Sequence, residues 1–208
     1  MRRWWDAHVY PHLLDRVCGG RAIEDERRRC VAQAAGHVLE VGIGSGLNLP
    51  FFDVHRVVDV VGVDPSAPLL ARAAHRACGV PLELREAVAE QLPFDRARFD
   101  TVIFTYTLCS VTDPGRALAE ARRVLRADGR LLFVEHGRSP DPATFRWQRR
   151  LTPVWTTVSG NCHLDRDIPR ELEAAGFAID QLGGYHGATR PGWLSFAYVG
   201  AARSAGAT

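Results

Sequence analysis

The chain has 208 residues, 46% of them hydrophobic, enough for one globular domain with a full core. Lys and Arg total 26 against 24 Asp and Glu, a net charge of +2, and no basic stripe interleaved with aromatics marks a nucleic-acid surface. No apolar run approaches the roughly 18–20 residues that cross a bilayer. The cysteines (Cys18, Cys30, Cys78, Cys109, Cys162) are odd in number, form no C-x-x-C pair and follow no secretory h-region, so a reducing cytoplasm is expected.

Residues 1–20 carry Arg2-Arg3-Trp4-Trp5, then Val9, Tyr10, Leu13, Leu14 and Val17 around Pro11, a spacing that predicts one or two amphipathic helical turns. Two roles fit: a lid over a ligand site, or a weak contact with a membrane interface. The short length and slight charge favour the lid. A helix is expected over 22–35, with Arg27, Arg28 and Arg29 solvated.

Strands are expected over 37–42, 57–63, 81–86, 99–104 and 130–134. Between them fall a short helix limited by Pro50, a helix from Pro65-Ser66 to Cys78, and a helix from Asp113-Pro114 to about Ala127. This alternation predicts a doubly wound parallel sheet with helices on both faces. Residues 142–158 form an aromatic helical stripe interrupted by Pro153, and a helix over 168–175 ends at Gly176. Strands over 177–182 and 193–200 would close the sheet as an antiparallel hairpin. The whole is read as a single domain, with 138–167 as a substrate cap and 201–208 as a flexible tail.

The stretch 37–66 carries the chemistry. An apolar strand delivers Gly42-Ile43-Gly44-Ser45-Gly46, and a second apolar run ends in Asp64. That is the layout of a nucleoside-binding βαβ unit. A dinucleotide fingerprint would place its third glycine where this chain has Leu47. Here the pattern is acid-x-G-x-G-x-G from Glu40 to Gly46, and Asp64, 24 residues after Glu40, can accept from two vicinal ribose hydroxyls.

This pattern resembles motif I of the class I S-adenosylmethionine-dependent methyltransferases. Further blocks (105–111, 124–137, Trp147-Gln148, Thr152 to Trp155, and 160–169) resemble one branch of the type 11 methyltransferases, the small bacterial relatives of the animal microsomal thiol methyltransferases. The similarity runs from about Trp5 to Phe177. It departs at Asn161, where a glycine is expected, and no counterpart of the animal relatives' N-terminal membrane anchor is expected. The resemblance implies a seven-stranded, mostly parallel sheet ending in an antiparallel hairpin, with S-adenosylmethionine as cofactor and S-adenosylhomocysteine as product.

It also implies a site. Glu40, Gly42, Gly44, Gly46 and Asn48 would form the turn under the methionine moiety. Asp64, Pro65 and Ser66 would hold the ribose, and Ala89 and Glu90 the adenine, because Val88 stands where an acid often takes the amino group. Thr105 and Tyr106 would complete the cofactor wall. Cys109, Trp147, Trp155, Cys162 and Arg166, with Trp4 and Tyr10 of the lid, would line the acceptor pocket.

The implied reaction is in-line displacement at the sulfonium methyl, with a small thiol as first acceptor. N- or O-methylation of an amine, phenol or lipid head group, or cofactor binding without transfer, are the alternatives. His136 would take the thiol proton, oriented by Glu135 or Asp165, with His163 the next candidate base. Arg166 is expected rather to hold its loop through Asp165, Asp167 or a backbone carbonyl. No metal is expected, because Cys162, His163, His136 and His186 match no ligand spacing. The expected partner is a small-molecule substrate and not nucleic acid; the oligomeric state is not legible.

Overall fold

Apolar residues alternate along each strand and so build two cores, one on either face of a single sheet. Leu39, Val41, Val61, Val63, Val102, Phe104, Leu131 and Phe133 point to one face, and Val38, Val60, Ile103, Leu132 and Val134 to the other. The computed structural model describes residues 21–186 and 196–206; the expected lid over 1–20, with Trp4 and Tyr10, lies outside the described residues.

Among the described residues, seven strands form the sheet: β1 (Gly36–Val41), β2 (Val57–Asp64), β3 (Leu82–Glu86), β4 (Phe99–Thr105), β5 (Leu125–His136), β6 (Phe177–His186) and β7 (Phe196–Ser204). Their order is β3-β2-β1-β4-β5-β7-β6, with β7 antiparallel to β5 and β6 and the remaining pairs parallel. The chain leaves β1 in one direction through β2 and β3, then returns to its other side through β4 and β5. The switch point therefore lies between β1 and β4, where doubly wound sheets bind ligands beyond the strands' carboxyl ends.

The helices are α1 (Arg21–Val31), α2 (Ala67–Ala73), α3 (Pro114–Val124), α4 (Pro142–Val158) and α5 (Ile168–Ala174). One core takes Cys30 and Val31 of α1 with Leu70 and Ala73 of α2; the other takes Ala117, Leu118, Ala121 and Val124 of α3 with Ile168 and Leu172 of α5. Burying each such Leu, Ile or Val contributes about 1.5–3 kcal/mol. Asp113, the cap the sequence suggests, and likewise Asp141 and Asp167 each accept from a backbone N–H three residues on, with proline in the first turn, whereas Ser66 at the start of α2 makes no side-chain cap bond.

Several boundaries differ from expectation; among them, α1 ends at Val31 and not at residue 35, and β5 starts at Leu125 and not at Arg130. The helix α2 ends at Ala73, not Cys78, and α3 ends at Val124, because Leu125 already pairs with Phe99 as the start of β5. The strand β6 continues to His186, and β7 continues through Ala201 and Ala202, both buried, to Ser204. These alanines sit opposite Leu132 and Leu131, so the residues expected to start a flexible tail are core strand. The helix α4 runs through Pro153 without a break.

Candidate active site

The carboxyl ends of β1, β2, β4 and β5 open onto one cavity of about 680 Å³, within the roughly 300–1,000 Å³ of small-molecule sites. Gly42, Gly44, Asp64, Pro65, Ser66, Ala89, Glu90 and Thr105 line one end of it, together with Val88. Tyr106, Cys109, His136, Trp155 and Cys162 line the other.

The turn after β1 needs its glycines for three different reasons. Gly42, Gly44 and Gly46 all lie at positive φ (72°, 55° and 77°). A Cβ on Gly42 would overlap the Thr107 side chain, and one on Gly46 would sit 2.7 Å from Leu49 Cδ1. At Gly44 a Cβ would meet nothing within 4 Å, since this glycine faces the open cavity. The turn is pinned from β2, whose Val63 carbonyl accepts from Gly42 and Ile43. Asp64 Oδ2 accepts from Gly44 N at 2.9 Å and Oδ1 accepts from Ser66 N at 2.9 Å. Each oxygen keeps a lone pair for a further donor.

Glu40 and Asn48 are not on the cavity wall. They lie beneath the turn, where Asn48 Nδ2 donates to Glu40 Oε1 at 2.8 Å and to Thr105 Oγ1 at 3.0 Å. Into this buried network comes Arg27, which the sequence reading left in solvent. It is 6% exposed; Nη1 donates to Asn48 Oδ1 at 3.1 Å and Thr105 Oγ1 at 3.0 Å, and its guanidinium lies 5.0 Å from the Tyr106 ring centroid. The signal was available: Arg27 shares a helical face with Cys30 and Val31, both fully buried. Burial pushes the Glu40 carboxyl up to about 8, against the lowering effects of Arg27 and Asn48. Arg27 Nε and Glu40 Oε2 are buried without a partner among the described residues.

At the opposite end, Tyr106 takes φ +57°, a costly conformation for a bulky residue. Its N–H donates to Val134 O at 2.7 Å and its hydroxyl meets that of Tyr185 at 2.8 Å. The Tyr106 and His136 ring centroids stand 4.7 Å apart, and His136 Nδ1 is 3.5 Å from Cys162 Sγ. The Cys162 and Cys109 sulfurs are 3.6 Å apart and unbonded. The sulfur–sulfur contact, helped by His136 and opposed by burial, sets the Cys162 thiol well below its usual range; the same contact and burial push Cys109 up.

Several expected site residues serve as framework. Glu135 is fully buried and accepts from the backbone N–H groups of Thr107, Leu108 and Cys109 at 2.8–3.0 Å, so it shapes the loop after β4 and does not orient His136. Successive strand residues face opposite sides of a sheet, which separates Glu135 from its neighbour. Arg166 is off the cavity wall and donates to the carbonyls of Leu108 and Val111. His163 is also off the wall; its backbone N–H donates to Cys109 O at 2.8 Å, and burial and Arg166 hold its imidazole below the usual range. Trp147 is 52% exposed on the outer side of α4, beside Arg150. Its neighbour Gln148 is buried instead, donating to Gly137 O and accepting from Ser139 N. Asn161 explains the missing glycine: it takes φ +69°, which asparagine tolerates, and its amide donates to Ser110 O at 2.8 Å. His186 is exposed and packs on Phe196.

The residues present suit S-adenosylmethionine. Gly44 leaves room against the backbone, Asp64 keeps lone pairs for a diol, and Arg27 Nε is a buried cationic donor on the cavity wall without a partner among the described residues.

Comparison with known proteins gives the family. Residues 39–133 match the family described as "Methyltransferase domain". The chain is 40% identical over 124 residues to the phosphatidylethanolamine N-methyltransferase of Cereibacter sphaeroides, covering 56% of this chain and only 60% of that enzyme's own length. It is 31% identical over 193 residues to the human thiol S-methyltransferase TMT1B, covering 83% of this chain and 77% of that protein. The solved S-adenosylmethionine-dependent methyltransferase of Mesorhizobium loti has the same fold, with a TM-score of 0.67 at 20% identity over 89% of this chain and 99% of that one. The chain belongs to the class I S-adenosylmethionine-dependent methyltransferases, in the type 11 group with thiol-methyltransferase-like relatives. Among the described residues no helix is long and apolar enough to cross a membrane.

Proposed function

We propose that this methyltransferase acts on a small thiol and produces a methyl thioether. The observation that carries the reading is the acceptor end of the cavity, walled by Tyr106, Cys109, His136, Trp155 and Cys162 with no carboxylate among them. A cationic amine would meet no counter-charge there. Of the acids on the wall, Asp64 belongs to the glycine-turn end, and Glu90 accepts from the backbone of Thr112 and Asp113.

Bound S-adenosylmethionine supplies a methyl group already activated by its sulfonium, so the chain's task is alignment and removal of the acceptor's proton. In this reading Gly42 and Gly44 admit the donor, Asp64 takes the ribose diol, and the Arg27 guanidinium faces the methionine carboxylate. Pro65, Ser66, Ala89 and Glu90 frame the nucleoside. The α4 helix and the 159–167 loop form the acceptor cap through Trp155 and Cys162. A thiol reacts as thiolate from an ordinary pKa near about 8.5, and His136 is the group proposed to promote loss of that proton.

A second reading, N-methylation, draws on the likeness to the Cereibacter phosphatidylethanolamine enzyme. Mass spectrometry of turnover against a mixed panel of thiols, amines and phenols separates the two. Methyl thioethers are expected; methylated amines without thioethers would replace the thiol reading, and cofactor binding without any product would favour a non-catalytic role.

A further inference from the structure

Cys109, His136 and Cys162 come from three separate segments, the loop after β4, the end of β5 and the loop after α4, so no sequence spacing announces them as a set. Their ligand atoms all lie within 4.8 Å of one another. Two of the edges are 3.6 Å, between the two sulfurs, and 3.5 Å, from Cys162 Sγ to His136 Nδ1; the third, from Cys109 Sγ to His136, lies within 4.8 Å. With zinc bonds of about 2.3 Å to sulfur and about 2.0–2.1 Å to nitrogen, a tetrahedron puts sulfur–sulfur edges near ~3.8 Å and sulfur–nitrogen edges near ~3.6 Å.

We propose that Cys109, His136 and Cys162 bind a zinc ion whose fourth position opens into the cavity and takes the sulfur of the thiol acceptor. This departs from the sequence expectation of no metal. Two cysteines, one histidine and an exchangeable fourth ligand is a donor set of catalytic zinc. All three residues line the cavity, so an open position would face the acceptor end. The set is held from outside, as metal sites require. Glu135 accepts from Cys109 N at 3.0 Å, His163 N donates to Cys109 O at 2.8 Å, and Arg166 and Asn161 tie the same two loops through Leu108, Val111 and Ser110 carbonyls. Trp155 packs against the cluster of Cys109, Cys162 and Leu164, and its indole N–H is a donor toward the Cys162 sulfur, where thiolate charge would accumulate. A bare cysteine pair would serve a disulfide equally well; the imidazole at the third corner is what points to a metal.

The two cysteines each lose a proton on binding, so their thiolates and a neutral imidazole balance the dipositive ion. The acceptor thiol binds at the fourth position and releases its proton to solvent. A sulfur lone pair of the bound thiolate forms the new carbon–sulfur bond as the sulfonium–methyl bond breaks, its electron pair staying on S-adenosylhomocysteine. The neutral thioether is the weaker ligand and leaves. His136 then acts as a ligand and not as a base. This catalytic role rests on the thiol reading; the metal site does not.

The test uses the untagged full chain, reduced, stripped with a chelator and titrated with cobalt(II) as a spectroscopic stand-in for zinc. The expected result is one equivalent bound with the intense visible bands of a tetrahedral thiolate site. Cys162→Ser and His136→Ala should weaken binding by more than the about 10–100-fold that loss of an outer-shell partner costs. Cys78→Ser, remote from the cavity, should leave the spectrum unchanged, and far-UV circular dichroism checks that each variant folds. Failure of the reduced protein to take cobalt or zinc, a Cys109–Cys162 disulfide as the sole chemistry of the pair, or binding indifferent to these variants would overturn the site. Full-rate thiol methylation by the stripped protein would overturn the catalytic role and leave the thiol reading standing. A cobalt site that ignores added thiols, in a protein that methylates only amines, would remove the thiol reading while keeping the metal.

Discussion

Asp64 and Gly44 are joined by a single hydrogen bond, Gly44 N to Asp64 Oδ2 at 2.9 Å, that ties the tip of β2 to the one glycine of the turn that faces open space. The same carboxylate thus shapes the turn and lines the cavity. Asp64→Ala should lower S-adenosylmethionine affinity by about 10–100-fold, the range for losing hydrogen bonds to a charged group. Calorimetric titration measures it, and unchanged affinity would remove Asp64 from the ribose site.

The glycines should separate by their surroundings. Gly44→Ala puts a methyl into space where the cofactor is proposed to lie, at φ +55°, so affinity should fall while stability drops by only about 1–2 kcal/mol. Gly42→Ala adds overlap with Thr107 to similar backbone strain and should lower the melting temperature further. Paired melting curves and titrations check the contrast; equal losses of stability would contradict it.

Glu40 gives a pH signature. Its carboxyl is raised from an ordinary 4.5 to about 8 in the folded protein, so between those values the folded state holds a proton that the unfolded state has released. The contribution is fully present below about 4.5 and is lost as pH rises through about 8, on the order of a few kcal/mol. The melting temperature of ligand-free protein should therefore fall across this window, and Glu40→Gln should flatten that part of the profile. An identical pH profile for both proteins would show that Glu40 ionises normally.

Framework and chemistry should also separate. Glu135→Gln leaves the three loop N–H groups with one good acceptor oxygen, so it should destabilise the fold by about 1–3 kcal/mol, and activity should fall with stability. His163→Ala lies off the cavity wall and should leave kcat/KM within about twofold. A large loss of kcat at unchanged stability for His163→Ala would restore it as a catalytic candidate.

The strands and the glycine turn were legible because both are local: continuous apolar runs set the central strands, and the acid-x-G-x-G-x-G spacing with Asp64 sets the nucleoside end. Arg27 was misread because arginine usually marks a solvated face, although its position falls on the buried stripe of α1 with Cys30 and Val31. Arg166 holds backbone carbonyls, as its loop-holding reading expected, whereas Trp147 was misplaced because block similarity shows that a residue matters and not which way it points. Trp147 faces outward while its neighbour Gln148 staples α4 to the end of β5. The Cys109–His136–Cys162 cluster could not be read from one segment at all, since only the tertiary fold brings its corners together.

The most direct test of the central claim is competition. The enzyme would be offered S-adenosylmethionine carrying a deuterated methyl group, with equimolar thiol, amine and phenol built on the same carbon skeleton, and the products read by mass spectrometry. The account predicts label in the thioether above either alternative, with that product lost in His136→Ala. Label in the amine or phenol with none in the thioether would contradict it.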